Sequence, residues 1–275
     1  MALSDKLPYV PGSDGLPVRV SGPWAKRKHH YLRNYCGIAT NAVRTKFPNG
    51  VVYLDVMSGP GRCLEEENAD EFPGSPFVAL DFDFSHYIFM EADPDLFDAL
   101  QQRLATHPKR DRIRLFKEDW VDVIRRRELN FDARSLVVAF IDPTGIAALP
   151  FSAVDELMRF PKIDMLITIQ YRLGIQLNVP QFLRSKSDAT VLDRFLGTSE
   201  WRAWNLHDLG QFTRKAVDYF CQKIRDRGFK ATRHVSVPES NPLYRFAYFS
   251  RHDLGTAFWK KITATDEKGQ RDFNF

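Results

Sequence analysis

The chain has 275 residues, 44% of them hydrophobic and 27% charged, the balance of an ordinary globular protein with a full-sized core. Its 39 basic and 35 acidic side chains leave a net charge of +4, which permits a nucleic-acid partner without requiring one, because such binding depends on clustered charge. No apolar run reaches the ~18 residues of a membrane span. The first residues lack the apolar core of a secretory leader, and Cys36, Cys63 and Cys221 are too scattered for a disulfide framework or a CxxC metal site. A cytoplasmic protein with no membrane association and no resident metal is expected.

Residues 1–22 carry three prolines and three glycines and are expected to form an irregular arm. From Trp24 to about Phe47, Tyr31, Tyr35, Ile38, Ala42 and Val43 recur at helical steps, and Pro48-Asn49-Gly50 ends the helix. Strands and helices then alternate. "VVYLDV" is a strand, and "SPFVALDF" a helix with Ser75 as N-cap and Pro76 at its first position. "YIFMEA" is the second strand, followed by a helix capped by Asp93 and opened by Pro94. "RIRLFKED" is the third strand and "WVDVIRRREL" a helix. "SLVVAFID" is the fourth strand, "SAVDELMRF" opens on a Ser-x-x-Asp capping pattern, and "IDMLITIQY" is the fifth strand. Five apolar strands separated by helices predict an α/β fold with a parallel sheet covered on both faces.

The last third changes character. Residues 172–209 read as a helical insertion, and "GQFTRKAVDYFCQKIRDRG" as a helix stopped by Gly228. "ATRHVSV" and "LYRFAYFSRH" flank "PESNP" and predict an antiparallel hairpin at the sheet edge. A helix near "GTAFWKKI" closes the chain. No linker separates these parts, so residues 23–275 are read as one domain.

In such a sheet, ligands bind beyond the C-terminal ends of the strands. The first strand ends in Asp55 and breaks into Ser58-Gly59-Pro60-Gly61, a turn that lets backbone approach a ligand closely. The GxGxxG fingerprint of a dinucleotide fails at its third glycine, and no GxxxxGK phosphate loop is present. S-adenosylmethionine fits better. It carries a sulfonium, an ammonium and a carboxylate but no phosphate, so it calls for an acidic residue and close backbone rather than an anion cradle. Glu91 ends the second strand, where an acid can take two hydrogen bonds from a ribose diol. Asp119 and Trp120 follow the third, where adenine would lie. Asp142 and Pro143 follow the fourth, facing the methyl group.

On "YLDVMSGPGR", the downstream "GSP" at 74–76, "YIFMEADP", "AFIDPTG", "LDRFLGTSEWR" and "PLYRFAYFSRH", the chain resembles the bacterial three-Cys-motif partner proteins, from about residue 26 onward. The resemblance implies a Rossmann-like class I methyltransferase fold with a seven-stranded, mostly parallel sheet of order 3-2-1-4-5-7-6 and an antiparallel C-terminal edge. It also implies a partner bearing a radical-SAM-like three-cysteine motif, which the three cysteines here do not form. Met57 stands where the class pattern often has a glycine. The interval from Asp55 to Glu91 is lengthened by "RCLEEENADEFPG", residues 62–74, read either as a lid over the cofactor or as a solvated loop.

The acceptor is less defined. Asp142-Pro143-Thr144-Gly145 occupies the place of the Asp/Asn-Pro-Pro-aromatic run of nucleic-acid amino-methyltransferases, in which the aromatic stacks on a flipped base; here that aromatic is missing. Gln170, Tyr171 and Arg172 end the fifth strand and are expected in the same crevice. Lys26, Arg27, Lys28 and Arg33 gather beside Trp24 and Tyr31, a pattern that suits single-stranded nucleic acid, and "HPKRDRIR" and Arg125-Arg126-Arg127 add further charge. Two readings result: a SAM-dependent methyltransferase acting on RNA or DNA, or a non-catalytic or SAM-binding subunit working with an iron–sulfur protein.

Overall fold

The computed structural model describes residues 9–43, 46–185, 187, 189–204, 208–231, 234–237 and 242–264. The chain divides into two compact units, residues 1–120 with 134–139 and 262–275, and residues 121–133 with 140–261.

The first unit opens with strands β1 (Tyr9–Pro11) and β2 (Pro17–Ser21) and helix α1 (Trp24–Ile38). Then come β3 (Val51–Asp55), β4 (Arg62–Glu65), β5 (Glu71–Pro73), α2 (Ser75–Leu80), β6 (His86–Met90), α3 (Pro94–Leu104), β7 (Ile113–Phe116) and α4 (Trp120–Arg125). Beyond these lie β8 (Leu136–Ile141), α5 (Phe151–Leu157), β9 (Ile163–Gln170), α6 (Val179–Arg184), α7 (Val191–Leu196), α8 (Leu209–Arg225), β10 (Lys230–Ala231), β11 (Val235–Val237), β12 (Tyr244–Ser250) and α9 (Asp253–Ile262).

The main sheet has the order β10-β12-β9-β8-β3-β6-β7, with β11 pairing β12. Taking β10 and β11 as two pieces of one edge strand, this is the expected 3-2-1-4-5-7-6 arrangement. β3 runs parallel to β6, and β6 to β7, whereas β12 is antiparallel to β9 and to both edge pieces. Strands β3 and β8 are buried at every position, as a parallel sheet covered on both faces requires. Each Val, Leu or Ile so buried contributes about 1.5–3 kcal/mol. The expected hairpin is present as β11 and β12; residues 238–241 of its turn lie outside the described residues.

Two segments differ from expectation. Residues 9–21 are not an irregular arm: β1 and β2 pair as a hairpin whose turn is closed by the Gly12 N–H on the Leu16 carbonyl at 2.8 Å. The prolines and glycines belong to that turn and its flanks. Residues 62–74 are not a loop throughout, because β4 and β5 form a second hairpin. β2 pairs in parallel with β4, Arg19 opposite Cys63, which joins both hairpins into a small sheet β1-β2-β4-β5.

Helix starts follow the capping chemistry only in part. The Asp93 carboxylate accepts from the N–H groups of Asp95 and Leu96 at 3.0 and 3.2 Å, as expected. The N-cap of α2 is Gly74, not Ser75, and that of α5 is Pro150, which leaves Ser152 inside the helix rather than capping it. Gly74 is fixed there because its N–H donates to the Gly61 carbonyl at 2.8 Å. The second unit carries the 172–209 insertion as α6, α7 and short 3-10 turns. Its core is aromatic: Phe195 stacks on Phe220 at 4.5 Å, and Tyr248 on Trp259 at 5.2 Å. Thr190 and Asp193 form a capping box at α7, and Gly197 ends it in the left-handed conformation.

Candidate functional site

The turn after β3 is built by two glycines with different duties. Gly59 has φ +60°, and a β-carbon there would meet nothing within 4 Å. Gly61 has φ +85°, and a β-carbon would lie 2.7 Å from Phe77 and 2.9 Å from Leu100. Gly74 approaches the backbone of Gly61 so closely that its own β-carbon would sit 2.9 Å from that carbonyl. The Gly-Pro-Gly and Gly-Ser-Pro runs are therefore one packed unit. Gly61 and Gly74 lock it, and Gly59 leaves open room.

Glu91 joins this unit from the end of β6. One carboxylate oxygen accepts from the Gly59 N–H at 2.8 Å and the other from the Asp93 N–H at 2.9 Å. Burial raises the Glu91 pKa above the ordinary carboxylate value, and these backbone donors act against that rise. Ser58 is buried, its N–H on the Met90 carbonyl at 2.9 Å and its hydroxyl on the Asp55 carbonyl at 3.2 Å. Asp55 is placed differently from expectation. It is 0% exposed, its carboxylate accepts from the Tyr53 hydroxyl at 3.4 Å, and it lies near enough to Cys36 of α1 to push that thiol's pKa up, adding to a larger effect of burial. The carboxylate is enclosed beneath the turn rather than open at the strand end.

The small sheet reaches this turn through residues that the sequence reading did not single out. Arg103 of α3, its side chain 4% exposed, donates to the Pro60 carbonyl at 2.6 Å and to the Pro17 carbonyl at 2.8 Å. It also grips both carboxylate oxygens of Asp14 at 2.8 Å. These bonds hold the Asp14 carboxyl down at about 2. Tyr9 of β1 has its pKa raised, chiefly by burial, with Arg19 acting against the rise and the Glu91 and Asp93 carboxylates adding to it. No local pattern marks Arg103 in the sequence, because Asp14, its carboxylate partner, lies 89 residues away.

Asp119 is exposed and immediately precedes α4. Trp120 is 2% exposed, so its ring offers almost no open face to a ligand. In the second unit, Asp142 is half-buried and Pro143 buried after β8. The Gln170 amide donates to the Pro143 carbonyl at 2.9 Å, which uses one of that oxygen's two lone pairs. Thr144 is exposed, and a β-carbon at Gly145 would meet nothing within 4 Å. Tyr171 is buried, its N–H and that of Arg172 both on the Leu243 carbonyl at 3.0 Å.

The basic clusters are mostly spoken for. Lys26 pairs with Glu65 at 2.6 Å, and Arg33 with Asp81 at 2.6 Å. Lys28 is 8% exposed and therefore not part of an open cationic face. Lys109 donates to the carbonyls of Leu80 and Phe82, and Arg112 pairs with Asp83. Arg125, Arg126 and Arg127 pair with Asp122, Glu128 and Glu156. Cys36, Cys63 and Cys221 are buried and form no disulfide among the described residues, burial pushing the Cys221 thiol up to about 12. No helix is long and apolar enough to cross a membrane, and among the described residues no group of three His, Cys, Asp or Glu side chains is placed to hold a metal ion.

No family model matches the chain, and no curated protein matches it. Among solved structures it is similar to protein LPL1258 of Legionella pneumophila, of the family DUF519, with 11% identity over 86% of this chain and 91% of that one and a TM-score of 0.51. It is also similar, at a TM-score of 0.47, to yhhF of Escherichia coli, a candidate methyltransferase, with 12% identity over 86% and 93% of the two chains. Identity this low shows the fold alone, and the second match, below 0.5, supports no argument.

Proposed function

We propose that the chain binds S-adenosylmethionine at the Gly59 turn and is a methyltransferase acting on a nucleic acid. The observation that carries the reading is the bond from the Gly59 N–H to Glu91, which ties the open glycine turn to the acid at the next strand end. The residues suit the cofactor. Glu91 is placed for a ribose diol, Gly59 leaves backbone room for the methionine end, and Asp55 supplies negative charge from beneath. When bound, the cofactor supplies an electrophilic methyl group on sulfur. Ser58 and Gly61 hold the turn, Asp119 offers a polar contact on the adenine side, and Trp120 serves as packing beneath it. The candidate for the acceptor's proton is Asp142, half-buried after β8, with Pro143 next to it in the chain.

A second reading has its own support. The Pro143 carbonyl, which would share an incoming amine, already accepts from Gln170, and Thr144 and Gly145 replace the second proline and the stacking aromatic. That favours a subunit which keeps the cofactor site but works with an iron–sulfur protein, as the resemblance to the three-Cys-motif partner proteins implies. A methyl-transfer assay separates the two. The purified chain is incubated with methyl-labelled cofactor and total cellular RNA or DNA. Incorporation that Asp142→Ala abolishes supports the enzyme, and cofactor binding without incorporation supports the subunit.

A further inference from the structure

Sorting the cations by partner separates two kinds of surface. Lys26 and Arg33 of α1 and the cations of residues 109–112 and 125–127 are tied to carboxylates or backbone carbonyls, Arg27 bonds the Tyr31 hydroxyl, and Lys28 is buried. Elsewhere in the second unit, Arg172, Arg214 and Lys215 form no ion pair within 4 Å among the described residues, and Arg184 bonds only the Pro180 carbonyl, at 3.1 Å. Tyr171, next to Arg172, brings its hydroxyl within 3.5 Å of the Gly210 carbonyl at the start of α8. Arg214 folds back over the same glycine, where a β-carbon would lie 3.5 Å from its guanidinium and 3.2 Å from the Asp208 carboxylate that caps α8, so Lys215 and Arg172 are the cations with no carboxylate shown beside them. Arg184 ends α6, a helix that packs against α8.

Aromatic rings are interleaved with these cations. Lys215 lies over the ring of half-buried Trp204 at 4.7 Å, and Arg245 over the ring of Tyr171 at 4.6 Å. Arg245 touches His234 through one terminal nitrogen, while its buried Nε has no hydrogen-bond partner. Cations left without counter-charges at a fold's surface lower the energy of a polyanion laid across them, and each one that meets a phosphate releases a counterion. Half-buried Trp204 leaves part of its ring for an unstacked base, whereas Tyr171 is buried and serves to seat Arg245.

We propose that residues 171–215, with Arg245, form the track on which a single-stranded nucleic acid lies, and that α1 does not. This rests on the methyltransferase reading for its purpose, since it supplies that enzyme's substrate surface, but the binding can be tested independently of the cofactor. The probe is a fluorescein-labelled, mixed-sequence single-stranded RNA of about 20 nucleotides, read by anisotropy against the full chain over a salt series. Arg214→Glu with Lys215→Glu changes two exposed positions on the outer face of α8 and should leave the circular dichroism and melting temperature near those of the wild type. We expect this variant to bind at least tenfold more weakly at 100 mM salt. Its log–log salt slope should be shallower by about 1.4, the ~0.7 per contact of a single strand taken twice. Arg125→Glu, a charge reversal of a paired cation, should change affinity less than twofold.

Salt-dependent binding that the double variant leaves unchanged would overturn the placement. Equal affinity for polyglutamate, lost in the same variant, would overturn the ligand class in favour of an acidic protein. Absence of any salt-dependent binding would overturn the track altogether. If cofactor binding persists in that last case, the methyltransferase reading survives it; RNA binding without cofactor binding would leave the track standing and remove the methyltransferase reading.

Discussion

The two glycines of the turn give opposite signatures when each is replaced by alanine. Both have positive φ, where a side chain costs about 1–2 kcal/mol. Reduced freedom of the unfolded chain returns about 0.4–1 kcal/mol. At Gly59 that is the whole effect on stability, because the new methyl group meets nothing within 4 Å. Gly59→Ala is therefore expected to destabilise by about 1 kcal/mol, lowering the melting temperature by roughly 2–4 °C for a chain of this size. At Gly61 the methyl group would lie 2.7 Å from Phe77 and 2.9 Å from Leu100, and overpacking of this kind adds about 1–3 kcal/mol. Phe77 is half-buried and can give way somewhat, so the total for Gly61→Ala is about 2–4 kcal/mol. The functional consequences invert. The space over Gly59 is where the cofactor's methionine end is proposed to lie, so Gly59→Ala should lose tenfold or more in cofactor affinity while staying folded. Urea denaturation measures the first quantity and calorimetric titration the second. Equal destabilisation by the two variants would refute the packing argument, and undiminished cofactor binding by Gly59→Ala would refute the placement of the ligand.

Three further outcomes are expected. Asp14 has its folded pKa lowered from 3.8 to about 2 by Arg103, so its contribution is present above about pH 4 and lost as pH falls through about 2. Because the carboxylate is partly solvated, that contribution is on the order of 1 kcal/mol. The stability gap between wild type and Asp14→Asn in urea melts should close across that window and not at neutral pH. Asp193 accepts from the Thr190 N–H and hydroxyl, from Trp201 at 2.7 Å and from Arg202, so Asp193→Ala should cost about 3 kcal/mol in the denaturant midpoint without affecting cofactor affinity. Lys28→Glu should lower stability rather than RNA affinity, because it places a carboxylate at a buried position; anisotropy and thermal melts on the same preparation distinguish the two.

Much of this architecture is legible in the sequence for a physical reason. β8 is an unbroken apolar run and β3 and β9 nearly so, and the connections between them carry helical periodicity, so their order in a covered parallel sheet follows from local pattern. The small sheet is not legible, because β2 pairs with β4 across more than forty residues and neither strand is long enough to show alternation. The acid-rich composition of residues 62–74 hides two inward positions, Cys63 and Glu65. Lys28 was readable. It falls on the same helical stripe as Ala25, Leu32 and Tyr35, all buried in α1, so its place on the wheel outweighs its charge. Glu91 and the glycines were legible as candidates because strand ends and φ-permissive turns leave a mark in sequence. The enclosure of Asp55 was not, because a carboxylate at the last strand position reads the same whether it points outward or beneath the turn.

The central claim is the cofactor site, and calorimetric titration of the purified chain with S-adenosylmethionine and with its demethylated product tests it most directly. Micromolar binding of both, with the product at least as tight, and a loss of tenfold or more in Glu91→Ala, is the predicted result. Absence of binding to either compound, or an affinity that Glu91→Ala leaves untouched, would contradict it.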